Sequence, residues 1–138
     1  MMRWLALSAA LVLVGPATAA ELDVTVSGVK NAAGQVRLAL YDDPETFRDE
    51  AKAREVESLP AQAGSVVFRL EGLEARPYAI IVYHDEDGNG EMNRFMGMIP
   101  TEGYGLSTNP KVYGKPGFAD AAFELSGERT AIEIGLNY

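Results

Sequence analysis

Residues 77–83 read Pro77-Tyr78-Ala79-Ile80-Ile81-Val82-Tyr83. Aromatic and β-branched side chains fit a pleated surface, and near-continuous apolarity implies burial on both faces, so this stretch predicts a central strand. Pro77 is tolerated at its first position, before the ladder is complete. Upstream, the period falls to two. Val66, Phe68 and Leu70 share one face within Ser65 to Leu70; Val36, Leu38 and Leu40 do so within Gln35 to Tyr41; Leu22, Val24 and Val26 alternate with Asp23, Thr25 and Ser27. Such alternation marks half-buried strands, and the turn Lys30 to Gly34 suggests that the two N-terminal ones form a hairpin. Between them and the central strand, Asp42 to Leu59 predicts a charged connection with a short helix. Asp43 would cap that helix, Pro44 would open it, and Phe47, Ala51 and Val56 form a ragged apolar face. Downstream, Ala121 to Leu125 and Thr130 to Leu136 read as two closing strands joined by a turn at Ser126-Gly127-Glu128. Six or seven short strands without a βαβ rhythm predict an all-β sandwich with Greek-key-like connections.

The chain has 138 residues, no Cys, one His, 12 Lys and Arg against 20 Asp and Glu, and a net charge of −8. That length predicts one domain. An acidic balance argues against a nucleic-acid surface, which needs clustered cations. The lack of Cys excludes disulfides, thiolate catalysis and zinc–thiolate sites, and a single His excludes sites built from several imidazoles. Residues 1–20 have the form of a secretory leader: Arg3, an apolar run from Trp4 to Val14, a break at Gly15-Pro16, then Ala17-Thr18-Ala19-Ala20. The apolar run is too short to span a bilayer. Cleavage after Ala19 or Ala20 would leave a single domain over 21–138, exported to the periplasm or beyond, with no membrane span.

The connection from His84 to Ala119 exceeds thirty residues, a length that is usually functional or disordered. Its apolar content, including Met92, Phe95, Ile99, Tyr104 and Leu106, predicts an ordered loop folded back on the sandwich. It opens with His84-Asp85-Glu86-Asp87-Gly88-Asn89-Gly90-Glu91. Asp85, Asp87 and Asn89 at alternate positions, followed by Gly90, have the spacing that converges oxygens on a calcium ion. The Glu91 carbonyl and the Asn93 side chain stand where further ligands would be. The twelfth position of an EF-hand, normally Glu, is Met96, so no EF-hand can be completed. The same residues are also good turn formers, and both readings stay open. An oxygen-only shell favours Ca²⁺ over zinc or copper, with affinity on the order of 10⁻⁴–10⁻³ M.

The stretch Tyr83-His84-Asp85-Glu86-Asp87-Gly88-Asn89-Gly90, together with Gly97-Met98-Ile99-Pro100-Thr101-Glu102-Gly103-Tyr104-Gly105-Leu106-Ser107, resembles the domain of unknown function 2141 family. The resemblance extends over essentially the whole chain after residue 20. It implies a small exported immunoglobulin-like or prealbumin-like β-sandwich of about seven strands. Departures are Arg76-Pro77 where Gly is common, Leu106 for a frequent Phe, and Asn93 for a frequent Asp, which removes one negative charge from the metal set.

Three functions follow for testing. The leading one is a non-catalytic binding or accessory module of the cell envelope, with an unidentified ligand or envelope partner and a weak Ca²⁺ site at Asp85, Asp87, Asn89, Glu91 and Asn93. The second is a small hydrolase using His84 with Glu102 or Ser107. Neither residue lies in an activating motif, and His84 reads more simply as a hydrogen-bonding anchor for the loop. Glu102 and Tyr104 admit the same pair of readings, a ligand groove or a loop anchor. The third function is a structural envelope protein that associates through sandwich edges.

Overall fold

The computed structural model describes residues 19–89, 94–95, 99–100, 102–111 and 114–138. The strands are β1 (Ala20–Val29), β2 (Gln35–Tyr41), β3 (Glu55–Pro60), β4 (Gly64–Leu73), β5 (Pro77–Asp85), β6 (Arg94–Phe95), β7 (Ile99–Pro100), β8 (Tyr104–Leu106), β9 (Phe123–Glu124) and β10 (Arg129–Gly135). Among the described residues one short helix, α1 (Phe118–Ala121), and a 3-10 turn at Glu50–Lys52 complete the set. The first sheet has the order β10-β1-β4; the second runs β3-β2-β5-β8, with β9 also on β5, and β6 and β7 form a small separate ladder. This is a β-sandwich.

The period-two faces explain the layering. Leu22, Val24 and Val26 of β1, Phe68 and Leu70 of β4 and Ile134 of β10 meet Leu38 and Leu40 of β2 and Tyr78, Ile80 and Val82 of β5 in one core. The opposite face of β5 is covered too. Ala79 and Ile81 lie under a second cluster that contains Tyr41, Phe47, Phe118 and Ala121. Its rings pack edge to face, Tyr41 on Phe47 at 5.3 Å and Phe47 on Phe118 at 6.0 Å. The central strand is therefore buried on both sides, as its composition predicts.

Four expectations are corrected. β1 and β2 do not form a hairpin: β1 lies between β10 and β4, and β2 belongs to the other sheet. A register shift beside Gly28, which has φ of 74°, bends β1 away, and the chain then crosses between layers. The helix expected between Asp42 and Leu59 is a turn, a 3-10 turn and the edge strand β3. The expected strand Ala121 to Leu125 is split between the end of α1 and the two-residue β9, and β9 and β10 lie in different sheets. The long connection also contains a strand of the sandwich, β8, paired with β5 from Tyr83↔Tyr104 to Ile81↔Leu106. The leader expected at residues 1–20 lies outside the described residues except for Ala19 and Ala20.

Candidate functional site at the end of the central strand

Because side chains alternate along a strand, the consecutive residues His84 and Asp85 at the end of β5 leave its two faces in opposite directions. Both are buried. Their surroundings come from three separate parts of the chain. The corner between β1 and β2 approaches so closely that a Cβ at Gly34 would lie 1.9 Å from the Asp85 carbonyl oxygen, and Gly34 has φ of 66°. Only glycine fits there. The segment before β8 is fixed by the His84 N–H, which donates to the Gly103 carbonyl at 2.8 Å. Tyr138 supplies the third side, its ring lying where a Cβ at Gly103 would be, 2.4 Å from the ring edge.

This arrangement brings Glu102 to the acidic loop. One carboxylate oxygen from each of Asp85, Asp87 and Glu102 lies within 4.8 Å of the others. Asp85 and Glu102 are buried and Asp87 is exposed, so the trio sits at the protein surface with two members fixed below. Backbone donors hold it. The Glu86 N–H donates to Glu102 Oε2 at 2.8 Å, and the Asn89 N–H lies 3.2 Å from both Asp85 Oδ1 and Asp87 Oδ1. Gly88, with φ of 71°, turns the loop tightly enough for these contacts. The turn chemistry expected of this motif is thus present together with a convergent oxygen cluster. Three carboxylates are the donor set that a hard divalent cation takes.

Of the sequence-derived metal residues, Asp85 and Asp87 meet, and Asn89 contributes a backbone donor to both. Glu91 and Asn93 lie outside the described residues. The partner that spacing does not reveal is Glu102, fifteen positions beyond Asp87; the pairing of β8 with β5 delivers it. Its only sequence signal is its place in the second of the two linked motifs.

His84 and Ser107 have other commitments. His84 Nε2 donates to the Ala33 carbonyl at 2.6 Å, which leaves Nδ1 as the acceptor for the Tyr138 hydroxyl at 2.9 Å. That hydroxyl accepts in turn from the Lys30 N–H at 2.9 Å. Burial raises the Tyr138 pKa, the Lys30 N–H pulls it down in part, and Glu86 adds to the rise, so the phenol stays protonated and donating. Ser107 is fully buried; its hydroxyl donates to the Ala121 carbonyl and accepts the Ile80 N–H at 2.9 Å. Tyr104 is half-buried, and its backbone exchanges hydrogen bonds with Asn137 at 3.0 and 2.9 Å.

No curated protein and no solved structure matches the chain. A family model does, over residues 24–133: it is described as "Uncharacterized protein conserved in bacteria (DUF2141)", and the chain belongs to that family.

Proposed function

We propose, with membership in that family as the premise, that the chain is an exported, non-catalytic binding or accessory module of the bacterial cell envelope. Its working surface is the end of β5, where a calcium ion bound by Asp85, Asp87 and Glu102 supports the loop. The observation that carries this reading is the convergence of three carboxylates, two of them buried, within 4.8 Å of one another. A Ca²⁺ ion takes six to eight oxygens at about 2.3–2.6 Å, so backbone carbonyls or waters would complete the shell. Export is supported by the leader-like pattern of residues 1–20. Of the two cleavage positions, the one after Ala19 suits the sandwich, because Ala20 is buried in β1 opposite Leu73. The hydrolase reading has less support, since both ring nitrogens of His84 and the hydroxyl of Ser107 already serve hydrogen bonds that join separate segments.

Thermal unfolding with added Ca²⁺ tests the metal. A ligand at about ten to one hundred times its Kd stabilises the folded chain by about 1.4–2.7 kcal/mol, so millimolar Ca²⁺ should raise the Tm and EDTA should reverse the rise. Asp87→Asn and Glu102→Gln should abolish the response. A Tm indifferent to both reagents would refute the calcium site.

A further inference from the structure

The first sheet ends at β10, which pairs with β1 in parallel; among the described residues no strand pairs with the other edge of Arg129–Gly135, although two residues further on Asn137 bridges to Tyr104 of β8. Part of that edge is nevertheless occupied. Asn109 Nδ2 donates to the Glu133 carbonyl at 3.0 Å, and Asn109 Oδ1 accepts the Gly135 N–H at 2.9 Å. Donating to one residue and accepting from the next but one, astride Ile134, is what a residue of a neighbouring parallel strand does. A side chain here stands in for a strand. The turn that aims it is built for the purpose: Thr108 and Asn109 are both left-handed, with φ of 69° and 48°, which is uncommon for residues other than glycine. The Thr108 hydroxyl donates to the Asp120 carbonyl at 3.0 Å and the Asn109 N–H to the Leu106 carbonyl at 3.0 Å, fixing both residues.

We infer that Asn109 is a plug that keeps the edge of β10 closed to the β10 of a second copy of this chain. The contacts of Asn109 with residues 133 and 135 mean that the odd-numbered residues turn their backbone groups to this edge. Two copies pairing antiparallel about Ala131 would use those residues alone, matching Ala131 with itself and Arg129 with Glu133 twice. Arg129, Ala131 and Glu133 are all exposed, so the charges in this register are complementary across the pair. Arg129 also contacts Asp23 at 3.1 Å, on the neighbouring strand of its own sheet. Glu133 takes part in two of the three hydrogen-bonded pairs, and Asn109 sits on its carbonyl. Open edges invite such pairing, and a side-chain cap is one way to prevent it.

Light scattering after size exclusion, over a concentration series, tests the plug. Asn109→Gly removes the side chain and keeps the left-handed backbone, whereas Asn109→Asp keeps the acceptor for Gly135 and loses the donor to Glu133. The wild-type chain should run as a monomer. Asn109→Gly should show an apparent mass that rises toward twofold, Asn109→Asp a smaller rise, and adding Glu133→Arg to Asn109→Gly should restore the monomer by setting arginines opposite each other. The inference is overturned if either single variant, folded by circular dichroism, stays monomeric throughout. It also fails if the wild-type chain is itself dimeric through β10, or if Glu133→Arg leaves the mass of Asn109→Gly unchanged. None of these outcomes depends on calcium.

Discussion

Replacing Ser107 by Ala takes one oxygen from a site with no solvent exposure and strands two backbone groups, the Ile80 N–H of β5 and the Ala121 carbonyl of α1. A buried donor or acceptor that loses its partner costs about 1–3 kcal/mol, and the space vacated is too small to admit a bridging water easily. Two such groups give a loss of about 3 kcal/mol as the central value. Unfolding entropy of about 2.1 cal/mol/K per residue gives about 0.25 kcal/mol/K for the roughly 118 residues that follow Ala20, so the Tm should fall by about 12 °C. Urea titration provides the direct measurement. With a slope near 2 kcal/mol/M, the midpoint should drop by about 1.5 M without a change in slope. Amide exchange at Ile80 should quicken more than at the other β5 positions. A loss below about 0.5 kcal/mol would refute the view that Ser107 is a structural bracket between β8, β5 and α1.

Two further substitutions probe the sheets. A Cβ at Gly105 would lie 2.5 Å from the Gly135 carbonyl oxygen and 2.7 Å from Ile134 Cγ2, so Gly105→Ala should force β8 and β10 apart. Denaturation should show a loss of about 1–3 kcal/mol, and unchanged stability would mean that the two sheets do not meet there. On β3, burial first and then the hydrogen bond and charge of Glu55 push the Glu57 carboxyl from its ordinary 4.5 up to about 7. The folded chain holds that proton more tightly than the unfolded one, so the stabilisation is complete below pH 4.5 and is lost as the pH rises through 7. Glu57→Gln should therefore lose less Tm than the wild-type chain between about pH 5 and pH 8, and equal losses would contradict the assignment.

How far the sequence could be read depends on what each strand faces. β5 is legible because both its faces are covered, and β1, β2, β4 and β10 are legible because one face is apolar at period two. β3 inverts the rule. Glu57 and Glu55 stand opposite Leu38 and Leu40, on the side of the sheet that faces the core. An edge strand can carry inward charges that a central strand cannot, so its pattern reads as a polar connection. β8 is three residues, Tyr104-Gly105-Leu106, and its Gly meets Gly135 across the layers, a contact that local periodicity does not encode. Pairing is a long-range property, which is why the apparent hairpin of β1 and β2 proved to be a crossing between sheets. The same limit governs the candidate site: the alternation of Asp85 and Asp87 is local, whereas Glu102 joins them only through the ladder between β5 and β8.

The parallel pairing of β1 with β10, from Glu21↔Arg129 to Ser27↔Gly135, sets a constraint in time. β1 waits for β10, more than a hundred residues further along the chain, before it acquires one of its two neighbours. Closing so large a loop belongs to the slow end of folding, milliseconds to seconds. Until β10 is in place one side of β1 is unsatisfied, so the finished sandwich cannot form from the first part of this sequence alone.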